Sequence, residues 1–443
     1  MQLEVQAVGG YNEVGKNMTA LKLNDEVVLL DMGLHLDNYA KYADDESNGK
    51  LSREVLISGG AIPNINMLDK WSGLVKAIVP THAHLDHVGA IPYLANQFKA
   101  PILGTPFTTA VINTMIRDQK IKMDNKIKTL TSNSFFTLSN NLKVEFINIT
   151  HSTPQTVMAA IHTPKGVVLY ANDFKLDRYP VLGKKPNFER LAEIGKKGVH
   201  ALIVDSTYAR EAKKMPSESV AREMLRDVLL GTESKGRVVI VTTFSSHLAR
   251  LKSIIEFGNK LNRKIVFLGR SLAKYSFAGE EAGVVNFSKE AEIVQYSKQI
   301  KRRLKKVTAQ NRHKYLFVVT GHQGEPKSTL TKIVDKVFEF KLQPEDHVIF
   351  SCTVIPTVTN QKNRDYVESV LKDEGVRIFR DIHVSGHAAR EDLRDLINLV
   401  KPKHIIPAHG NIQMTAALSD LATEMGYEAD NIHLMRNGQK VQL

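Results

Sequence analysis

Short apolar runs separated by glycine and polar turns make up the first 30 residues. Leu3–Val8, Met18–Leu23 and Val27–Leu30 have the length and the branched side chains of strands, and Gly9-Gly10 and Asn24-Asp25 separate them. Runs of this kind, bounded by turn residues, predict antiparallel strands.

The chain stays rich in strands up to about residue 170. Further strand-length apolar runs occur at Val75–Val79, Leu142–Ile149, Thr156–His162 and Val167–Tyr170. A helix is predicted from about His87 to Phe98. Residues 36–66 are polar and irregular and include the acidic run 44–46, so we predict an insertion loop there. Many strands with few helices are typical of layered sheets that carry helices on their outer faces.

Beyond residue 200 the pattern changes to an alternation of strands and helices. The predicted strands are Ala201–Asp205, Arg237–Thr242, Ile265–Leu268 and Tyr315–Val319. The segments between them include two predicted helices, Ser217–Leu230, with Ser217 as N-cap, and His247–Leu261. This alternation predicts a parallel sheet with helices on its faces.

The last part of the chain returns to a mixed pattern. It predicts the strand Val376–Ile378, the helix Arg390–Val400, the strand His404–Pro407, the helix Ile412–Glu424 and a final strand Gln439–Leu443. We therefore predict an α/β domain over residues 206–375, inserted into a β-rich domain formed by residues 1–205 and 376–443.

Composition excludes several classes of protein. With 443 residues, the chain is long enough for two or three domains. A hydrophobic fraction of 42% and a mean hydropathy of −0.21 are those of a globular protein. Every apolar run is shorter than the roughly 18 residues of a membrane-spanning helix, and the N-terminus has no secretory pattern, so we expect a cytoplasmic protein. Cys352 is the single cysteine, which excludes a multi-cysteine zinc site.

The net charge of the chain indicates the kind of partner that it favours. Sixty Lys and Arg against 47 Asp and Glu give a net charge of +13, which favours polyanions such as nucleic acids. The densest basic run, residues 298–306, is predicted to form an exposed helix face.

The sequence Thr81-His82-Ala83-His84-Leu85-Asp86-His87 carries the strongest chemical signal. Residues two apart do not share a face on a helix, but in an extended loop they point the same way, so His82 and His84 can bind one ion. Asp86 and His87, at the start of the next helix, suit a second ion beside it. Imidazole and carboxylate are ordinary Zn²⁺ ligands. The motif therefore predicts a metal site directly after the strand that Pro80 ends.

Two ions need more ligands than this motif supplies. His151, Asp173 and His409 are candidates, because each follows an apolar strand at its end. Residues in such positions are often ordinary loop residues, and it is their combination with the motif that favours two coordination shells. The remaining histidines, including His200, His404 and His433, are expected to be structural or surface residues.

The motifs resemble those of a known superfamily. The histidine motif, with Asp31-Met32-Gly33 upstream, is similar to the metal motif of the metallo-β-lactamase fold. The segments Asp205-Ser206-Thr207, 320–326, 383–388 and 406–410 resemble landmarks of its β-CASP nucleases. The segments 9–17, Asp173-Phe174-Lys175, Gly269-Arg270-Ser271 and Phe350-Ser351 look most like the ribonuclease J family. Because the sequence ends at residue 443, it resembles the short archaeal form, which lacks a C-terminal domain.

This resemblance implies a fold and a metal centre. The fold would be of the α/β class, a metallo-β-lactamase αββα sandwich with an inserted parallel α/β β-CASP domain. Two Zn²⁺ per subunit are implied, with Mn²⁺ or Mg²⁺ as substitutes. One zinc would be bound by His82, His84 and His151, and the other by Asp86, His87 and His409. Asp173 would bridge the two ions.

The resemblance also implies roles in catalysis and RNA binding. Asp86 and Asp205 would support the reaction, and His387 would protonate the leaving group or stabilise the phosphoryl oxygen. His383, Ser385 and His387 would bind a backbone phosphate. Four residues would receive the 5′ monophosphate of the substrate: Ser245, Ser246, Arg270 and Ser271. Helix capping before residue 247 is an alternative for the two serines.

Taken together, the sequence predicts a zinc-dependent ribonuclease that degrades single-stranded RNA 5′→3′ from a 5′-monophosphate end. A water molecule activated by the metal ions would attack the phosphodiester and leave 5′-phosphate products. Single-stranded DNA is a further possible substrate, a homodimer is expected, and no membrane partner is. The alternatives are a β-CASP endoribonuclease, an inactive RNA-binding scaffold, and a small-molecule metallohydrolase such as a thioesterase.

Overall fold

The computed structural model describes residues 1–43 and 52–443. Its strands, in chain order, are β1 Leu3–Gly9, β2 Met18–Leu23, β3 Glu26–Leu30, β4 Val75–Val79, β5 Ile102–Gly104, β6 Ile127–Thr129, β7 Ser134–Thr137, β8 Lys143–Asn148, β9 Val157–Thr163, β10 Gly166–Ala171, β11 Val199–Asp205, β12 Val239–Thr242, β13 Lys264–Leu268, β14 Glu292–Val294, β15 Tyr315–Val319, β16 His347–Phe350, β17 Arg377–Phe379, β18 His404–Ala408 and β19 Lys440–Gln442.

The described residues also form α-helices. They are α1 Leu36–Ala43, α2 Arg53–Ser58, α3 Leu85–Val88, α4 Ile91–Leu94, α5 Pro106–Asp118, α6 Phe188–Lys197, α7 Glu218–Gly231, α8 Leu248–Lys260, α9 Arg270–Glu281, α10 Ser297–Leu304, α11 Thr329–Val334, α12 Val358–Asp373, α13 Arg390–Val400 and α14 Ile412–Glu424. Short 3₁₀ segments lie at Ile65–Leu74, Ala95–Gln97, Phe287–Lys289, Arg312–Lys314 and Ala429–Asn431.

The described chain forms two compact units. The first comprises residues 1–178, 184–215 and 386–443, and the second comprises residues 179–183 and 216–385. The second unit thus begins and ends ten residues beyond the expected bounds of 206 and 375. Residues 206–215 belong to the first unit because they bond to it at two places. The backbone N–H of Met215 donates to Asp392, and the backbone N–H of Arg390 donates to the carbonyl of Glu211. The expected strand at 376–378 also belongs to the second unit, because β17 pairs with β16.

The first unit contains two stacked sheets. One has the strand order β19-β1-β2-β3-β4-β5-β6, and the other has the order β18-β11-β10-β9-β8-β7. Buried apolar residues of both sheets, such as Val5, Val79, Phe146 and Ile203, form one shared core. The opposite face of the first sheet packs against α3, α4 and α5, and that of the second packs against α6, α13 and α14. This is the αββα sandwich that the resemblance implied, and the fold prediction is confirmed.

The second unit is built on one parallel sheet. Its order is β14-β13-β15-β12-β16-β17, and every neighbouring pair is parallel. The predicted helix start at Ser217 is correct, because the hydroxyl of Ser217 accepts the backbone N–H of Ser219. The basic run lies on α10 and just beyond it. Its Lys and Arg side chains are exposed except that of Arg303, which pairs with Glu292 and is buried, as are Ile300 and Leu304.

Two predictions about local structure were wrong. Residues 36–66 are not one loop, because α1 and α2 lie within them, and the core residue Leu56 anchors α2; residues 44–51 lie outside the described part. The single helix expected over 87–98 is broken into α3, α4 and a 3₁₀ turn. Gly89 allows a close approach to Leu34, and Pro92 lacks the backbone N–H that a continuous helix would use.

Candidate metal centre

The histidine motif occupies the turn between β4 and α3. His84 is the N-cap residue of α3 and has extended backbone angles, φ −72° and ψ 147°. His82 and His84 therefore precede the helix, and Asp86 and His87 lie in its first turn, as the spacing predicted. His82 and His87 are fully buried.

Three imidazole nitrogens converge at one side of the centre. The Nδ1 of His84 lies 3.1 Å from the Nε2 of His82 and 3.1 Å from the Nε2 of His151. The Oδ2 of Asp173 is 3.4 Å from His82 Nε2 and 3.5 Å from His151 Nε2. Four ligand atoms at this spacing can surround one cation.

A second set of ligand atoms meets at the other carboxylate oxygen of Asp173. Its Oδ1 lies 3.2 Å from the Nε2 of His87 and 3.5 Å from the Nε2 of His409. The Oδ2 of Asp86 is 3.7 Å from each of the same two nitrogens. Asp173 therefore turns one oxygen to each set, which is the geometry of a bridging ligand.

Outer partners fix the proton positions of these imidazoles. The Nδ1 of His87 lies 2.7 Å from the Oδ2 of Asp31, and the Nδ1 of His409 lies 2.8 Å from the Oδ1 of Asn17. The Nδ1 of His151 lies 2.7 Å from the carbonyl oxygen of Gly386. Because each acceptor needs an N–H donor, Nδ1 carries the proton and Nε2 keeps its lone pair toward the centre. Metal-binding histidines are usually held in this way.

Backbone geometry at the strand ends aims several of these side chains. Asp31, Asp173 and His409 follow β3, β10 and β18, and their φ angles are +58°, +55° and +50°. The left-handed region is unfavourable for residues with a side chain, and such residues cluster at functional sites. The backbone of α3 also approaches Gly33 so closely that a Cβ there would overlap the carbonyl oxygen of Asp86.

The electrostatics of the centre suit a cation. Burial lowers the pKa of His82 to about 4, with help from the neighbouring His87 and His84. Burial would raise the pKa of Asp173, but His87, His409 and His387 hold it well below its ordinary value. Within residues 1–43 and 52–443, the buried Oδ1 of Asp173 has no hydrogen-bond donor. An ionised carboxylate oxygen without a donor, facing imidazole lone pairs, fits a bound metal ion.

Asp205 and His387 adjoin this centre. The Nδ1 of His387 lies 2.8 Å from the Oδ2 of Asp205, and its Nε2 lies 3.9 Å from the Oδ2 of Asp173. Burial lowers the pKa of His387, but Asp173 and Asp205 outweigh it and raise the pKa to about 9. The structure thus brings the predicted catalytic residues to the predicted metal ligands.

The other predicted phosphate-binding residues lie in the second unit. The hydroxyls of Ser245 and Ser271 are 2.8 Å apart, beyond the carboxyl ends of β12 and β13. Arg270 is the exposed first residue of α9, and Ser246 is buried. The N-cap of α8 is His247, without a side-chain cap bond, so the helix-capping alternative for the serines is not realised. His383 lies near the buried Arg250, with Nδ1 and Nη1 3.5 Å apart, and Ser385 ends the unit.

Sequence reasoning gave no individual role to two residues of the centre, although both lie in segments that carried the resemblance. Asn17 is buried and contacts both His409 and His87, with its Nδ2 3.0 Å from His87 Nε2. Asp31 was noted only as part of a motif.

No helix in the described part of the chain is long and apolar enough to cross a membrane.

Comparisons with known proteins agree with this architecture. Family models match three consecutive parts: the metallo-β-lactamase superfamily over residues 12–192, the ribonuclease J β-CASP domain over 235–369, and the Zn-dependent metallo-hydrolase RNA specificity domain over 376–433. A crystal structure of a protein of unknown function from Enterococcus faecalis V583 shares the fold, with a TM-score of 0.65 at 17% identity over 100% of both chains.

Curated relatives match over nearly the whole length. Ribonuclease J of Methanocaldococcus jannaschii is 41% identical, over 99% of this chain and 98% of the relative. Ribonuclease J of Pyrococcus abyssi is 40% identical, over 100% and 97%. Ribonuclease J 1 of Streptococcus pyogenes is 31% identical, over 100% of this chain and 74% of the relative. The chain therefore belongs to the ribonuclease J family of the metallo-β-lactamase superfamily.

Proposed function

We propose that this chain is a metal-dependent ribonuclease that degrades single-stranded RNA 5′→3′ and leaves 5′-phosphate products. The observation that carries the proposal is the pair of ligand sets that share Asp173. The ribonuclease J names of its relatives support RNA as the substrate. The net charge of +13 favours a polyanionic chain as well.

The donor atoms favour zinc, with one ion in each set. Imidazole nitrogens and carboxylate oxygens are the usual ligands of catalytic Zn²⁺, whereas Mg²⁺ prefers oxygen alone. His82, His84 and His151 would hold one ion and Asp86, His87 and His409 the other, with Asp173 between them. When bound, the ions supply positive charge at the phosphoryl oxygens and a nucleophile at neutral pH.

His387 is the proposed proton donor to the leaving 3′ oxygen. Its Nδ1–H is held by Asp205, which leaves Nε2 facing the centre. Asp205 accepts the Nδ1–H and stabilises the protonated ring, which can then release a proton from Nε2. Asp205 acts as a positioning residue that fixes the orientation of this ring.

The 5′→3′ direction rests on the second unit. Ser245 and Ser271 present paired hydroxyls, and Arg270 adds a guanidinium at the start of α9. Hydroxyl donors, a guanidinium and a helix N-terminus are typical of phosphate sites. We propose that these residues, with Ser246, bind the terminal 5′ monophosphate, and that His383 and Ser385 bind a backbone phosphate. A homodimer, a cytoplasmic location and some activity on single-stranded DNA remain predictions.

The decisive experiment digests matched RNAs with 5′-hydroxyl, 5′-monophosphate or 5′-triphosphate ends, labelled at either end. We expect labelled mononucleotide from the 5′-labelled monophosphate RNA, and slow turnover of the other two. Discrete internal fragments would instead favour the endoribonuclease alternative. The variant Asp86→Ala, with RNA binding retained and cleavage lost, separates an enzyme from a binding scaffold. Cleavage that continues in the presence of a chelator would refute metal dependence.

A further inference from the structure

A buried arginine of the second unit lies next to the segment that carries His383. Arg250 is the third residue of α8, and its side chain is fully buried. Its guanidinium pairs with Glu218, the first residue of α7, through two bonds: Nε lies 2.6 Å from Oε1, and Nη2 lies 2.8 Å from Oε2. Because a buried charge is costly unless it is paired, Glu218 offsets the cost of burying Arg250.

The remaining guanidinium nitrogen of Arg250 contacts two other segments. Its Nη1 lies 2.8 Å from the hydroxyl oxygen of Ser351 and 3.0 Å from the carbonyl oxygen of the same residue. It also lies 3.1 Å from the carbonyl oxygen of Ile382, to which the hydroxyl of Ser351 donates at 2.8 Å. Arg250 and Ser351 therefore fix the backbone directly before His383.

These contacts lie at the end of the parallel sheet where ligands usually bind. Ser351 directly follows β16, Ile382 follows β17, and α8 follows β12. In open parallel sheets, ligands bind beyond the carboxyl ends of the strands. His383 is only half-buried, and the centroid of its ring lies 6.0 Å from that of Phe244, which also follows β12. Arg250 is thus buried next to a side chain that a ligand can reach.

Arg250 also selects a proton position on the ring of His383. The Nη1 of Arg250 lies 3.5 Å from the Nδ1 of His383. A guanidinium donates hydrogen bonds and cannot accept them, so Nδ1 keeps its lone pair toward Arg250. The Nε2 of His383 then carries the ring proton and can donate it to a phosphate oxygen.

Stability alone does not account for the buried pair of Arg250 and Glu218. The cost of removing two charges from water can exceed the gain from their attraction, and well-packed apolar residues often replace buried ion pairs without loss of stability. An apolar residue at position 250 could not bond the carbonyl of Ile382 or the ring of His383. The pair is therefore better explained by the orientation that it gives to this segment.

We propose that Arg250, paired with Glu218 and bonded to Ser351, is a positioning residue for the RNA backbone. It fixes the segment that presents His383 and Ser385 to one phosphate, and because it is buried and neutralised it does not touch the RNA itself. The inference rests on one part of the proposed function, the phosphate contact of His383 and Ser385. A change at Arg250 should therefore act on the binding of one phosphate and not on RNA binding in general.

The test measures how single phosphates contribute to RNA binding by the full-length, metal-loaded chain. Short 5′-phosphorylated 2′-O-methyl RNAs carry one neutral methylphosphonate, which is moved along the backbone one linkage at a time. Dissociation constants are measured by fluorescence anisotropy for wild type, His383→Ala and Arg250→Lys. Lysine keeps the positive charge but lacks the fork that bonds Glu218 and Ile382 together.

We expect one linkage at which the methylphosphonate weakens binding to wild type but not to His383→Ala. A charge-assisted contact of this kind is worth roughly tenfold or more in affinity. At the same linkage, the methylphosphonate should change the affinity of Arg250→Lys by less than about twofold, which is the error of additivity between independent changes.

Arg312→Lys is the matched control. Arg312 is a buried arginine that pairs with Asp346, and both precede strands, β15 and β16, at the amino end of the same sheet. Its replacement should lower stability and leave the wild-type loss of affinity at that linkage unchanged. Thermal unfolding shows which variants are folded. Should Arg250→Lys not fold, Ser351→Ala takes its place, because it removes the hydroxyl bond to Ile382.

A folded Arg250→Lys protein that keeps the wild-type loss of affinity at that linkage would overturn the proposal. So would a variant that binds every RNA more weakly by one common factor, because that result assigns Arg250 to stability alone. If no linkage distinguishes His383→Ala from wild type, the phosphate contact is absent and the inference fails with it. RNA that stays intact in the digestion of matched RNAs would refute the proposed cleavage, and it would leave this comparison of affinities unaffected.

Discussion

Replacing Asp31 by asparagine tests whether outer hydrogen bonds set the metal affinity. Asp31 is fully buried, and its carboxylate accepts the Nδ1–H of His87 at 2.7 Å and the backbone N–H of Thr81 at 2.7 Å. An asparagine at this position keeps one acceptor oxygen, which Thr81 uses. Its amide nitrogen then faces the Nδ1–H of His87, so two donors meet.

The conflict is relieved when His87 moves its proton from Nδ1 to Nε2. That nitrogen is the one directed at Asp86 and Asp173, and a protonated nitrogen cannot bind a metal ion. Outer partners of metal-binding histidines are worth roughly 10–100-fold in affinity. We therefore expect Asp31→Asn to weaken binding at the set of Asp86, His87 and His409 by about 1.4–2.8 kcal/mol.

The assay is a competition between the protein and a chromophoric chelator for Zn²⁺, with RNA cleavage followed over the same range of free zinc. Asp31→Asn should need more zinc for half-maximal cleavage and should recover activity when zinc is in excess. Asp69→Asn, at an exposed position, is the matched control. An affinity within twofold of wild type in a folded Asp31→Asn protein would refute the reasoning.

Further predictions concern the proton donor, the phosphate site, the metal and acid stability. His387→Asn should lower the single-turnover rate constant of cleavage at saturating enzyme by about 10²–10⁴-fold, with little change in the enzyme concentration that gives half the maximal rate. Arg270→Ala should reduce the preference for 5′-monophosphate over 5′-hydroxyl RNA by roughly tenfold or more, whereas Lys298→Ala should not. Removal of metal by a chelator should abolish cleavage, and added Zn²⁺ should restore it; activity in the metal-free protein would contradict the proposal. Burial lowers the pKa of His347 to about 4, against about 6.5 in the unfolded chain, so its contribution to stability is full above pH 6.5 and is lost as the pH falls toward 4. Between pH 7.5 and 5 this loss is about 2 kcal/mol, so in urea titrations the stability of wild type should fall by about 2 kcal/mol more than that of His347→Leu over this range.

Several elements followed from local pattern because their causes are local. Met18–Leu23, Arg390–Val400 and Ile412–Glu424 were predicted with the bounds that the structure has. Hydrophobic period and turn residues suffice for such elements, and Ser217 caps its helix through an atom two residues away. The metal motif was visible for the same reason, since its four ligand residues lie within six positions of one turn.

Where the prediction failed, the deciding contacts were made by distant residues. Leu56 anchors α2 in the core, and the close approach of Leu34 to Gly89 accompanies the break after α3. The strand Arg377–Phe379 belongs to the sheet of the second unit because it pairs with β16. A pattern of hydrophobic residues gives the period of an element, but it does not say which neighbour the element packs against.

The sequence by itself determined the residue types of the metal centre, the turn that carries four of them, and most of the strands that deliver the rest. Only the tertiary structure decided that Asp173 turns one oxygen to each ligand set and that Asn17 and Asp31 fix the histidine tautomers. The physical reason is range: hydrophobic period and capping act over a few residues, whereas strand register and left-handed turns join side chains that lie hundreds of residues apart.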